Sequence, residues 1–155
     1  MLVRREDGHE IDTDAGRLDV ALVHRWLATD AYWAMGRPAD VVARSVANSV
    51  CFGMYALDGP QGGFARVVTD HATFAWLCDV YIAPDARALG LGTWLAQAVV
   101  TEMRGRGLPR IILATRDAHT IYEKAGFVPL AEPARWMEID VRGTGYGRPR
   151  DVADS

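Results

Sequence analysis

Cysteine is scarce in this chain. Cys51 and Cys78 are the only two, each inside an apolar run, and no C-x-x-C occurs. That excludes a disulfide framework and leaves the role of small buried hydrophobe. The four histidines, His9, His24, His71 and His119, are scattered without ligand spacing, so no metal is expected. No apolar run approaches the roughly twenty residues of a membrane span, and the first ten residues lack the apolar core of a signal peptide. A membrane is therefore not an expected partner, and a cytoplasmic location is. Basic residues form no block, and 17 Lys and Arg against 20 Asp and Glu give a net charge of −3. The electrostatic footprint of a nucleic-acid binder is missing. Two nucleotide signatures are missing as well, the P-loop G-x-x-x-x-G-K-S/T and the dinucleotide-binding G-x-G-x-x-G.

What is present suits one globular domain. The chain has 155 residues, half of them apolar, enough to bury a proper core. Its patterning predicts an α/β order. Glu10–Asp14 reads as a short strand, Arg17–Ala28 as a helix with Leu18, Leu22 and Trp26 on one stripe, and Pro38–Asn48 as a second helix with proline in its first turn. Val50–Leu57, Gly63–Asp70 and Phe74–Ile82 read as strands, the first two separated by the turn residues Asp58–Pro60. Phe74–Ile82 is apolar on both faces, as a central strand covered by helices would be. Arg110–Thr115 is a short buried-strand pattern, Asp117 an N-cap candidate and Ala118–Ala125 a helix closed by Gly126. Phe127–Leu130 and Arg135–Val141 are two further strand candidates. The domain is expected to span residues 1–141, and residues 142–155, poor in apolar side chains, read as a flexible tail.

Val80–Leu95, V-Y-I-A-P-D-A-R-A-L-G-L-G-T-W-L, is the most informative stretch. An apolar run stops at Pro84, a turn carries Arg87, and Gly90 and Gly92 open an amphipathic helix. Backbone N–H groups in a helix's first turn have no intrahelical acceptor, and the macrodipole adds partial positive charge there. Glycines let a phosphate approach those donors, and Arg87 adds a permanently charged fork. About thirty residues on, I-Y-E-K-A-G-F spans Ile121–Phe127.

In form, order and spacing, R-x-x-G-x-G and Y-E-K-A-G-F resemble the two signatures of the GNAT superfamily of acyl-CoA-dependent N-acetyltransferases. The resemblance covers residues 74–130 and implies a fold, a co-substrate and a set of site residues. The fold is a single α/β (α+β) domain, with a central mixed, mostly antiparallel sheet flanked by helices and splayed at its central strands. Acetyl-CoA is the co-substrate. Its pyrophosphate is expected on Arg87, Ala88, Leu89, Gly90, Leu91, Gly92 and Thr93, and its pantetheine arm along Val80, Tyr81 and Ile82, with Thr115, Asp117 and Tyr122 also close to it. A free backbone N–H near Val80 would face the acyl oxygen. Tyr122 is the expected general acid, since a phenol of pKa about 10 stays protonated and can serve a thiolate of pKa about 8.5. The function implied is acetyl transfer to a primary amine, of a small molecule in the leading reading, by direct attack in a ternary complex. A non-catalytic acyl-CoA-binding regulator and a protein N-terminal or lysine acetyltransferase are the alternatives. A homodimer is compatible with all three.

Two positions depart from the family pattern. Many members carry a carboxylate two residues before the position of Val80, where this chain has Cys78, a poor base while buried and neutral. Its neighbour Asp79 is the only charge in F-A-W-L-C-D-V-Y-I and should face away from Cys78 unless a bulge turns the chain. A carboxylate there must be paired or shifted in pKa. Pairing with Arg66 on the preceding strand and service to the acceptor, as base or binding group, are both open, as is a water chain acting as base. The second departure is Thr115, where the family often has asparagine. The resemblance implies that acceptor choice falls to the N-terminal region, where Asp30, Tyr32 and Trp33 combine a carboxylate with aromatic faces suited to an organic cation. Tyr32 and Trp33 are the better binding candidates, while Trp26 belongs to its helix's apolar stripe.

Overall fold

The computed structural model describes residues 1–141; the expected tail, 142–155, lies outside the described residues. Six strands, β1 (Leu2–Arg4), β2 (Glu10–Asp12), β3 (Val50–Tyr55), β4 (Gln61–Thr69), β5 (Ala75–Ile82) and β6 (Ile111–Ile112), form one sheet in chain order. Pairing is antiparallel from β1 to β5, and β6 joins β5 in parallel. Four helices cover the sheet: α1 (Val20–Thr29), α2 (Ala39–Ala47), α3 (Leu91–Gly105) and α4 (His119–Lys124). The mixed, mostly antiparallel sheet is therefore present as expected.

Each face of the sheet builds its own core. On one, Phe52, Met54, Ala65, Val67 and Leu77 pack against α3. The buried Leu91, Leu95, Val99 and Met103 of α3 recur every four residues, the spacing of one helix face. On the other face, Val23 and Leu27 of α1 and Val42 of α2 meet Cys51, Phe64 and Tyr81. Among the described residues no helix is long and apolar enough to cross a membrane.

Element ends follow local chemistry. α1 starts at Val20 rather than Arg17, because the Asp19 carboxylate accepts the Leu22 N–H at 2.9 Å and so fixes the cap. Pro38 stands at the cap of α2, where its missing N–H costs nothing. β1 was not anticipated; three residues give too short an alternation to read. Asp117 does not cap α4. The Ala118 N–H goes instead to Thr115 Oγ1 at 3.1 Å.

The two strands expected after Gly126 are absent from the sheet. Phe127–Leu130 and Ile111–Thr115 instead line a common slot of about 340 Å³, and no ladder joins them. Arg135–Val141 begins in the single turn Pro133–Arg135 and pairs with no strand, its Trp136 ring lying 4.6 Å from the Arg110 guanidinium. The strand expected over Arg110–Thr115 shrinks to Ile111–Ile112, which face Ala75 and Trp76 of β5, with the Arg110 carbonyl accepting the Ala75 N–H at 2.9 Å at the start of the pairing.

Candidate active site

That short pairing makes the site. β5 continues six residues past Trp76 while β6 turns away, so the sheet splays and Val80–Ile82 is left with an open edge. β5 also carries a bulge. Phe64 faces Tyr81 and Arg66 faces Cys78, so Ala65 alone opposes both Asp79 and Val80. Asp79 takes φ +52°, a left-handed conformation that Asp tolerates better than most residues. The extra residue reverses the alternation of the strand. Ala75 and Leu77 pack towards α3 before the bulge and Val80 and Ile82 after it.

A cleft of about 530 Å³ opens at the splay. Val80, Tyr81 and Ile82 line one wall, Arg87, Ala88, Gly90, Leu91, Gly92 and Thr93 the mouth, and Asp117, Ile121 and Tyr122 the other wall. Residues far apart in sequence are thus gathered in one cleft. Leu89 turns out to solvent, its carbonyl accepting from Arg5 Nη1 at 3.1 Å, and Thr115 and His119 line the slot behind α4 rather than the cleft.

The mouth has the form of an anion cradle. Ala88 and Gly90 have φ of +65° and +70°, and Gly90 caps α3 without a side-chain partner, so first-turn N–H groups point outward. A Cβ on Gly92 would stand 3.6 Å from Ile121 Cδ1 and 3.7 Å from Ile82 Cγ1, inside the gap between the two walls. Arg87 reaches back across the mouth. Its Nε donates to the Ile82 carbonyl at 2.9 Å and its Nη2 to Asp30 at 3.0 Å. The same Asp30 oxygen accepts from the Tyr81 hydroxyl at 2.5 Å, and Tyr81 stacks on Trp26 with centroids 5.1 Å apart. The Tyr81 hydroxyl and then Arg87 hold the Asp30 carboxyl below its usual pKa.

Tyr122 stands on the far wall, its ring edge-on to Phe127 at 5.9 Å. Burial first, then the neighbouring Tyr32 and Asp117, push its phenol up to about 12. It stays protonated across the whole neutral range. Tyr32 and Trp33, which line the cleft beside Asp30, pack edge to face at 5.0 Å, and the Arg116 guanidinium lies 3.7 Å from the centre of the Tyr32 ring.

Asp79 does not line this cleft. Its side chain is 2% exposed and binds Arg37 Nη1 at 2.7 Å, Arg66 Nε at 2.9 Å and Trp33 Nε1 at 3.1 Å. Burial raises its pKa, but the Arg37 hydrogen bond and the charges of both arginines outweigh that and leave it below the usual value. A carboxylate so paired and so acidic is poorly placed to take a proton. The bulge puts it on the side of Arg66, the turn of the chain left open by the sequence. Burial raises the Cys78 thiol to about 11, so Cys78 is neutral at pH 7 and does not replace the carboxylate of other members. Arg37 was the contribution hardest to foresee. A lone charge in an apolar strand announces that it needs a partner, but not that a second one arrives from the loop after α1.

The model of the acetyltransferase (GNAT) family matches residues 21–127. A Gibberella zeae protein assigned as an acetyltransferase is 32% identical over 133 residues, covering 74% of this chain and 75% of its own. A crystal structure assigned to the same family, from Xanthomonas campestris pv. campestris, is 42% identical with a TM-score of 0.81, covering 87% of this chain and 94% of that one. The N-acetylglutamate synthase of Neisseria gonorrhoeae, solved with coenzyme A and N-acetyl-glutamate, shares the fold at 18% identity and a TM-score of 0.60, over 77% of this chain and 28% of that one. The cleft, its two motifs and these relatives agree: this chain belongs to the GNAT family of acetyltransferases, which carry out acetyl-CoA-dependent acetylation.

Proposed function

We propose that this protein transfers an acetyl group from acetyl-CoA to a primary amine of a small molecule, by direct attack in a ternary complex. The observation that carries the reading is the meeting, in one cleft, of the Arg87–Thr93 cradle, the open edge at Val80–Ile82 and the Tyr122 phenol. The pyrophosphate binds at the cradle, drawing Arg87 from Asp30, and the pantetheine arm pairs with the strand edge as an added strand would. A backbone N–H that the bulge leaves out of the ladder, near Val80, faces the developing oxyanion. Tyr122 donates to the departing sulfur.

The acceptor ammonium docks where Asp30 offers a half-exposed carboxylate beside the Tyr32 and Trp33 rings. Its proton leaves through water, with Asp30 the nearest exposed carboxylate on that wall. Asp79 serves the acceptor indirectly, as the anchor of the Trp33 indole. The Arg116–Tyr32 contact bridges the walls at that end and favours a small amine over a peptide chain.

Following thiol release from acetyl-CoA with a panel of amines and peptides tests this reading. Turnover is expected with cationic small amines, and Asp30→Asn should raise their KM about tenfold. CoA binding without thiol release on any amine would favour the regulator; turnover confined to peptides would favour a protein acetyltransferase.

A further inference from the structure

Arg37, Arg66 and Arg87 each donate a hydrogen bond to a carboxylate. Arg116, in the loop between β6 and α4, is held differently. Its guanidinium lies 3.7 Å from the centre of the Tyr32 ring, and its neighbour Asp117 stands at 3.6 Å, beyond hydrogen-bond length. Both charged side chains are more than half exposed, so that ion pair is weak. A separation of 3.7 Å is the contact distance of two stacked planes. A guanidinium stacked on a ring keeps its N–H fork, which lies in its own plane, for another partner.

The platform beneath it is anchored. Tyr32 packs edge to face on Trp33, and the Trp33 indole donates to the buried Asp79 at 3.1 Å. The loop is tied from its own side, where Thr115 Oγ1 accepts the Ala118 N–H at 3.1 Å. Arg116 therefore stands beside Tyr32 and Asp117, which both line the cleft. After burial, those two residues also raise the Tyr122 phenol, which places them near the reacting centre. Arg87, the cation that lines the cleft, goes to the CoA pyrophosphate, and Asp30 takes the acceptor ammonium. Arg116 is left as a permanent positive charge with its fork open, close to where the rest of the acceptor must lie.

We infer that the acceptor is a small amine that also bears a carboxylate, an α- or ω-amino acid, with the carboxylate held bidentately by the Arg116 fork and the ammonium at Asp30. This rests on acetylation of a small amine and narrows it. Guanidinium and carboxylate join in one plane through two parallel N–H···O bonds of about 2.7–2.9 Å, closer than Asp117 comes, so the ligand displaces Asp117. A phosphate suits the place less well. It brings about 1.5 to 2 negative charges towards Asp117 and Asp30, where a carboxylate brings one.

The test compares amines that differ only in that group. Thiol release from acetyl-CoA is followed with a set of α- and ω-amino acids, each beside its own carboxamide, and with aminoethyl phosphate. On the native protein the best acid should exceed its carboxamide at least tenfold in kcat/KM, mainly through KM. Arg116→Ala should bring that ratio close to one, and Arg116→Lys, which keeps the charge and loses the fork, should restore only part of it. Both variants should keep the native CoA affinity and circular dichroism spectrum. A native ratio near one would overturn the inference and leave small-amine acetylation standing. So would a ratio that survives Arg116→Ala, or a preference for aminoethyl phosphate over every acid. If no amine releases thiol, the acetyl-transfer reading fails, and calorimetry on the CoA-bound protein decides the inference by itself. The acid must then bind at least tenfold tighter than its carboxamide and lose that advantage in Arg116→Ala; equal binding overturns it.

Discussion

At the scale of single residues, the mouth of the cleft is governed by backbone conformation at two positions and by free space at a third. Ala88, at φ +65°, holds a shape that costs an L-residue roughly 1 kcal/mol, a strain that persists where surroundings demand it. Gly90, at +70°, holds the same shape without that cost. Gly92 is different: it lies in the first turn of α3, its φ is not left-handed, and any side chain there would enter the gap between Ile82 and Ile121. Gly92→Val is therefore the cleaner probe, since Gly90→Val would also strain the backbone. We expect it to melt as the native protein does and to lose at least tenfold in CoA affinity by calorimetry, about 1.4 kcal/mol. Native affinity would remove the gap from the CoA path. The pair of glycines was legible in sequence; their separate reasons were not, because φ and neighbouring atoms decide them.

At the scale of elements, the bulge in β5 sets the arrangement of the site. Its left-handed Asp79 turns the strand and binds Arg37, Arg66 and Trp33, tying the loop between α1 and α2 to the sheet. Removing one member of a buried ion group leaves the others uncompensated, typically at a cost of about 3 kcal/mol or more. Asp79→Asn should therefore lower the melting temperature and raise KM for the amine, through a loosened Trp33, with CoA affinity kept. A native melting curve in that variant would contradict the account. The sequence showed that Asp79 needed a partner and offered Arg66. Which face it took depended on one extra residue in the ladder, and that is a property of the pairing rather than of the strand's own composition.

For the molecule as a whole, helix and strand patterns made the layered fold legible up to Gly126, since each buries one clear face. Beyond it, Phe127–Leu130 and Arg135–Val141 have strand composition without a place in the sheet. Composition records a liking for extended backbone; membership needs an edge within reach. The buried thiols predict how the whole fold responds to alkali. Burial raises Cys51 to about 12 and Cys78 to about 11, above the roughly 8.5 of an unfolded thiol. Their stabilisation is complete below about pH 8.5 and declines as pH rises towards those values, by about 1.4 kcal/mol per pH unit for each thiol. The melting temperature should fall from pH 8.5 to 10.5, and less steeply in Cys51→Ala; equal slopes would show that Cys51 does not drive the loss.

The central claim is that acetyl transfer takes place in the splayed cleft with Tyr122 as proton donor, and the turnover of Tyr122→Phe tests it most directly. The substitution deletes one hydroxyl and keeps the ring against Phe127. With the best amine found, thiol release should fall about a hundredfold or more while CoA binds with native affinity. Native turnover in that variant would contradict the account.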